Sequence, residues 1–331
     1  MWSFGIQFSQ FVDKYMFLLT PGALLLGFLF APWLQHAVGA IPYLFGYSTF
    51  VMAMGCGVGH LRQVFRKPGI MLLTLGLAHL LSPVLAYLLG SVVFAAQSPY
   101  VVGLVLFTVI PLGVSSVIWV GLSQGSVPLI LALVVLDAAL SPLVVPHLIE
   151  WIFGQLVKID TLAVMFDLIW IVVLPTILGV IVYEISKGQA KTRTAPFMLP
   201  TSKLTFLAVI LLNASAIAPD VLDLSHDMIK LVPMVILLVA LCYGVGEVGS
   251  RLFMKGDIDA SLQVTVAYAT GMRNISLGIV IAMGYFTPQA SIPVVLSILI
   301  QQPMATAFHA LHKILTIRRL AKKGMSRYDK R

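Results

Sequence analysis

The run Tyr268-Ala269-Thr270-Gly271-Met272-Arg273-Asn274-Ile275-Ser276 lies in the middle of a long apolar stretch. Within a few residues it combines a glycine, a permanent cation, an amide and two aliphatic hydroxyls. A helix crossing hydrocarbon satisfies its own backbone and has no need of such groups. An arginine at that depth is costly unless it faces protein, water or a counter-charge. The stretch therefore reads as a functional site. Upstream, Pro111-Leu112-Gly113-Val114-Ser115-Ser116-Val117-Ile118 occupies the matching position in the first half of the chain. Two interrupted helices in matching halves point to a substrate site near the membrane midplane.

Composition agrees. The 331 residues are 59% hydrophobic and 10% charged, with a mean hydropathy of +0.99. A soluble domain carries about a quarter charged residues, so this is an all-α polytopic membrane protein with no long polar segment left to fold outside the bilayer. The net charge of +8 falls mainly in short loops and in the C-terminal tail, where it sets topology rather than attracting nucleic acid. Cys56 and Cys242 sit in apolar segments, as small core residues do. Residues 1–13 lack the basic start and cleavage site of a signal peptide and are expected to lie in the interface through Trp2, Phe4 and Phe8.

At roughly 20 apolar residues per span, about ten transmembrane helices fit. They are expected at residues 15–34, 40–58, 69–89, 100–122, 127–153, 162–185, 202–217, 229–252, 261–285 and 290–315. Basic residues cluster in the second-to-third, sixth-to-seventh and eighth-to-ninth connections and in the tail, whereas residues 219–227 carry Asp220, Asp223 and Asp227. That alternation predicts a multi-pass protein of the cell membrane with both termini cytoplasmic.

The halves echo each other. Pro21 matches Pro175, the Gly113 stretch matches the Gly271 stretch, and Pro142 matches Pro303. Five helices per half is odd, so the second half enters the membrane from the opposite side. Such an inverted repeat is characteristic of secondary transporters.

Several stretches carry a family resemblance. Met54-Gly55-Cys56-Gly57 with its basic exit, residues 111–125 continuing to Pro142, and above all Gly271-Met272-Arg273-Asn274-Ile275-Ser276-Leu277-Gly278 resemble the bile acid:sodium symporter family. Its pattern at the last of these is Gly-Met-Gln-Asn-Ser-Gly-Leu-Gly. The resemblance implies a panel domain (helices one, two, six and seven) and a core domain (three to five and eight to ten), with broken helices four and nine crossing at their unwound centres. The domains follow: residues 1–185 hold the first five-helix repeat plus helix six, 186–200 a cytoplasmic linker, 201–315 helices seven to ten, and 316–331 a basic cytoplasmic tail.

Sodium coupling does not carry over with the resemblance. Ser116 matches a family sodium ligand, but Val117, Ile130, Val134 and either Ala269 or Thr270 stand at the other ligand positions of the first site. The second site reads Ala269, Arg273 and Ala78, with His79 adjacent. Aliphatic side chains supply no oxygen ligands, while Arg273 brings a fixed positive charge, since arginine does not deprotonate in proteins. Asp137, in the middle of the fifth helix, is its leading counter-ion. Alternatively Arg273 binds an anionic substrate directly, aided by half-helix N-termini at the break.

The candidate substrate-binding residues are therefore Arg273, Asn274, Ser276, Ser115, Ser116, Thr270 and Asn213, with Asp137, His79 and Glu247 as coupling or counter-ion groups. Asp137 is either a proton carrier or a structural counter-ion, and His79 either a relay or a core histidine. Trp119 either lines the cavity or packs, and Asp167 is an interface residue. No cofactor or resident metal is expected. An enzyme is disfavoured because Asp137 has no facing aspartate and Gly113-x-Ser115 has no placed base. The arsenite-efflux branch of the superfamily is disfavoured because no cysteine lies within residues 100–122. The reading is a secondary transporter of a small organic anion, a carboxylate, working by alternating access in the lipid bilayer without sodium. The alternatives are a sodium- or proton-coupled symporter and, from another class, a channel or membrane receptor.

Overall fold

The computed structural model describes the backbone of residues 2–154, 160–222, 225–253 and 260–328, with side chains except at 2, 3, 17, 219–222, 225, 226 and 315–328. These residues are helical almost throughout. In chain order the helices are α1 (Trp2–Leu29), α2 (Ala31–Ala53), α3 (Val58–Phe65), α4 (Pro68–Val93), α5 (Pro99–Val109), α6 (Ser116–Leu122), α7 (Val127–Phe153), α8 (Thr161–Ser186), α9 (Gln189–Leu222), α10 (Ser225–Phe253), α11 (Ala260–Gly271), α12 (Ile275–Tyr285) and α13 (Pro288–Tyr328).

By length and composition, six of the described helices cross a membrane unaided, and two bent pairs raise that to as many as eight. The expected fourth and ninth spans are each divided into two shorter helices, α5 with α6 and α11 with α12. Large apolar side chains such as Trp33, Val92, Trp151, Trp170 and Ile185 point outward, as helices facing hydrocarbon require.

Prolines explain two local irregularities. A π-helical turn, Leu77–Leu81, sits inside α4 just before Ser82-Pro83, and another, Ile169–Val173, sits inside α8 just before Leu174-Pro175. Proline removes a donor and its ring crowds the preceding turn, and widening the helix relieves that crowding. The turn in α4 matters later, because it carries Ala78 and His79.

One expected boundary is corrected. The polar stretch 186–200 is not an open linker. The chain reverses at Lys187 and Gly188, both with positive φ (51° and 79°), and Gly188 donates to Tyr183 O at 2.8 Å, the bond that closes a Schellman cap. Helix α9 then starts at Gln189 and runs through Pro196 and Pro200. Pro200 cannot donate to Pro196 O, and glycine turns that carbonyl into a packing surface: an ideal Cβ on Gly5 of α1 would lie 1.8 Å from it. Residues 2–13 belong to α1, whose segments Phe4–Met16 and Leu18–Leu29 meet at a bend of 79°, and Ser9 and Val12 are buried. Lys203 of α9 holds them by donating to Ser9 O at 2.9 Å and to Asp13 Oδ2 at 2.5 Å. The side chains of Asp220, Asp223 and the tail beyond Ile314 lie outside the described residues.

The helices pack in two groups. Helix α1 lies along α9, and α2 packs against α8 and α9. In the other group α4 packs on α5 and α10, α10 on α11 and α13, and α5 and α12 on α13. Small residues set the spacing in the first group: a Cβ on Gly27 would meet Leu211 O at 2.3 Å, and one on Gly179 would meet Ala53 Cβ at 2.6 Å. Such contacts are how apolar helices gain close packing within a membrane. Cys56 and Cys242 are buried free thiols.

Candidate functional site

The two breaks meet. Ile110 precedes Pro111, which excludes the α-helical region for Ile110, and α5 stops there with Ile110 extended. On the other side α11 ends at Gly271 and α12 starts at Ile275. Between them Leu112 and Arg273 form an antiparallel bridge. Gly113 donates to Met272 O at 2.9 Å and Asn274 donates to Pro111 O at 2.8 Å. Gly113 is required at this approach, since a Cβ there would lie 2.7 Å from Arg273 O.

Unwinding two helices in an apolar interior exposes backbone groups that must find partners. Side chains supply the rest. Leu112 N–H donates to Asp137 Oδ2 at 2.7 Å. Arg273 N–H donates to Gln301 Oε1 at 2.8 Å, and Gln301 Nε2 donates back to Arg273 O at 3.2 Å. Ser116 Oγ donates to Gly113 O at 2.6 Å. Asp137, Gln301 and Ser116 thus act as substitutes for the missing helical bonds.

Arg273 is 1% exposed. Its Nη2 donates to Ala78 O at 2.7 Å and its Nη1 to Ile110 O at 3.4 Å, while Nε has no partner among the described residues. Asp137, also 1% exposed, uses its second oxygen on His79 Nε2 at 2.7 Å. The direct Arg273–Asp137 pair anticipated from the sequence is therefore absent: the arginine goes to carbonyls and the aspartate to a histidine. The two are nevertheless joined through common segments, because Ala78 and His79 are neighbours on the π turn and Ile110 and Leu112 flank Pro111. The carbonyls of Ala78 and Ile110, beside the helix break, are the acceptors of the guanidinium.

A cavity of about 290 Å³ lies between the two groups of helices, beside the crossing. Its wall is mostly apolar, with Phe45, Met52, Leu131, Phe206 and Ile298 among the lining residues. Of the substrate-binding candidates, Ser115, Asn274, Ser276 and Arg273 reach this wall. The guanidinium of Arg273 gives Nη1 and Nη2 to carbonyls and leaves Nε without a partner among the described residues.

Ser116, Thr270 and Asn213 do not line the cavity. Ser116 closes its own turn. The Thr270 hydroxyl bonds Val266 O at 3.0 Å, on its own helix, and fits against Gly246. The Asn213 amide is buried with neither side-chain atom bonded among the described residues. Glu247 is also elsewhere, paired with Arg251 one turn along α10, because i and i+4 positions share a helix face. Trp119 packs: its Nε1 donates to Gln302 Oε1 at 3.0 Å and its ring stacks on Tyr268. Asp167 accepts from Tyr285 Oη at 2.5 Å at an exposed position. Among the described residues no group of three or more His, Cys, Asp or Glu is placed to hold a metal ion.

Sequence reasoning missed Gln301, Lys191 and Lys203. The signal for the first was available: Gln301-Gln302-Pro303 interrupts an apolar helix. Lys191 falls in the stretch 186–200 that was expected as a linker.

Comparison with known proteins identifies relatives along most of the chain. The model of the Sodium Bile acid symporter family matches residues 44–224. The Uncharacterized protein YbaS of Bacillus subtilis (strain 168) is 32% identical over 291 residues, covering 88% of this chain and 94% of that protein. The Probable sodium/metabolite cotransporter BASS2, chloroplastic, of Oryza sativa subsp. japonica is 25% identical over 256 residues, 76% of this chain and 59% of that protein. Its counterpart BASS1 from the same plant is 27% identical over 203 residues, 60% of this chain and 48% of that protein. With the matched model covering more than half of the chain and the bacterial relative aligned along nearly its whole length, this is a membrane transporter rather than an enzyme, and it belongs to the sodium bile acid symporter family.

Proposed function

We propose that this protein is a secondary transporter of a small organic anion that works by alternating access without sodium, with Arg273 as its built-in cation. The observation that carries the reading is the guanidinium bound to Ala78 O and Ile110 O, beside the bridge that joins the two broken helices. In this reading ten spans form two inverted five-helix repeats. Helices α1, α2, α8 and α9 make the panel, the others make the core, and both termini face the cytoplasm of a cell membrane. Rocking of the core past the panel moves Asn274, Ser276 and Ser115 from one membrane face to the other. The names of the rice relatives, sodium/metabolite cotransporters, support an organic substrate.

The test is uptake of a panel of organic anions into vesicles carrying the purified protein, with sodium or with choline outside, for the native chain and for Arg273→Gln. Equal uptake in sodium and choline, lost in Arg273→Gln, is the expected result. Uptake that requires sodium overturns the built-in cation.

His79 bonded to Asp137, which in turn holds the Leu112 amide of the crossing, favours a second reading in which protons drive the cycle. An imposed pH gradient that accelerates uptake in choline, and fails to do so in His79→Gln, distinguishes it from uncoupled transport.

A further inference from the structure

We propose that Lys191 is the residue that binds the carboxylate of the transported anion. The proposal rests on the transporter reading above and adds the group that recognises the charge. Four charged residues line the cavity: Asp13, Lys191, Lys203 and Arg273. Lys203 and Asp13 neutralise each other. Arg273 gives both its terminal nitrogens to backbone carbonyls and is 1% exposed. Lys191 forms no hydrogen bond or ion pair among the described residues. It is therefore the cavity's uncommitted charge.

Lys191 falls in the first turn of α9, where a cation opposes the helix dipole and contributes nothing to the helix itself. Gly55 makes room for it: an ideal Cβ at Gly55 would lie 2.1 Å from Lys191 Nζ. A second, shallower recess is lined by Gly55, Tyr183, Lys187, Gly188, Gln189, Lys191, Thr192 and Arg193, and Lys191 is the residue common to both hollows. An anion drawn to the basic recess meets Lys191 at the boundary of the inner cavity. One ammonium matches a single carboxylate, whereas a phosphate dianion calls for several donors. The apolar wall then takes the body of the substrate, and Ser115, Asn274 and Ser276 of the crossing face its polar atoms. The ligand class is a small amphipathic monocarboxylate.

The experiment uses the full chain purified in detergent. Thermal stabilisation is measured with straight-chain carboxylates from acetate to decanoate and with phenylacetate, each beside its primary amide, for the native chain, Lys191→Gln, Lys191→Arg and Arg273→Gln. Expected is a carboxylate that stabilises while its amide does not, with affinity at least about tenfold weaker in Lys191→Gln, as loss of a charged hydrogen bond implies, and largely kept in Lys191→Arg. A hit unchanged in Lys191→Gln overturns the role of Lys191 and leaves anion transport standing. Amides that bind as well as the acids overturn recognition by charge. No stabilisation by any acid overturns both the proposal and the carboxylate reading on which it rests. A readout free of variants is labelling by pyridoxal phosphate and borohydride, mapped by mass spectrometry. The stabilising acid is expected to protect Lys191, and labelling that proceeds unprotected refutes the proposal.

Discussion

Replacing Gly113 by alanine tests the crossing itself. The new Cβ would sit 2.7 Å from Arg273 O, 3.0 Å from Arg273 C and 3.3 Å from Arg273 N. These are backbone atoms in a bridged pair, so no flexible side chain can swing aside. Relief requires the two unwound segments to separate, which stretches the Gly113–Met272 and Asn274–Pro111 hydrogen bonds together. Two such bonds contribute about 1 kcal/mol net each, and overpacking a close contact costs about 1–3 kcal/mol. The expected loss is therefore ~3–5 kcal/mol, a fall in melting temperature on the order of 10 °C. Gly244 of α10 is the control, because nothing lies within 4 Å of a Cβ there; in a helix interior that substitution removes chain entropy and is expected to change stability by under about 1 kcal/mol, in the stabilising direction. Both variants are melted in detergent and assayed for uptake in vesicles. A Gly113→Ala protein that melts with the control and transports normally would refute the close crossing of the two segments.

Three further outcomes follow from the same geometry. Gln301→Leu leaves the buried Arg273 amide without a partner, while Arg273 O keeps the Ile275 N–H; at about 1–3 kcal/mol for one unsatisfied buried group its melting temperature should fall clearly below that of the native chain. His79→Leu leaves one oxygen of a buried carboxylate bare, a loss of about 3–5 kcal/mol. Adding Asp137→Asn should recover part of it, because the amide oxygen still accepts from Leu112, and a double-mutant cycle of melting curves measures that coupling. Gly27→Leu places a side chain where Leu211 O and Ala214 Cβ already are, so α1 should lift from α9, seen as faster proteolysis or hydrogen exchange along residues 2–29.

Much of this protein was legible in its sequence, for a definite physical reason. Hydrocarbon tolerates only self-satisfied helices, so an apolar composition dictates the all-helical class, and a stretch such as Gly271-Met272-Arg273-Asn274 stands out because nothing in a plain helix needs it. Pro111 and Gly113 likewise mark a break that the structure shows between Ile110 and Ser116. Local chemistry with a strict rule reads directly from the chain.

Partner choice did not read out that way. Arg273 had several acceptors within reach of its side chain, and only the π turn that aims Ala78 O at the crossing, together with His79 taking Asp137, decided between a salt bridge and carbonyl ligands. Gln301 reaches Arg273 across 28 positions, and Lys191 lies beside Gly55 of the turn between α2 and α3, remote in sequence. The polar stretch 186–200 was misread as linker because its prolines and hydroxyls signal a loop locally. Packing of α9 on the glycines of α1 overrides that signal. Composition and Pro/Gly placement set which segments are helices and where they break. Which side chain meets which across those breaks depends on three-dimensional proximity, and only the tertiary structure decides that.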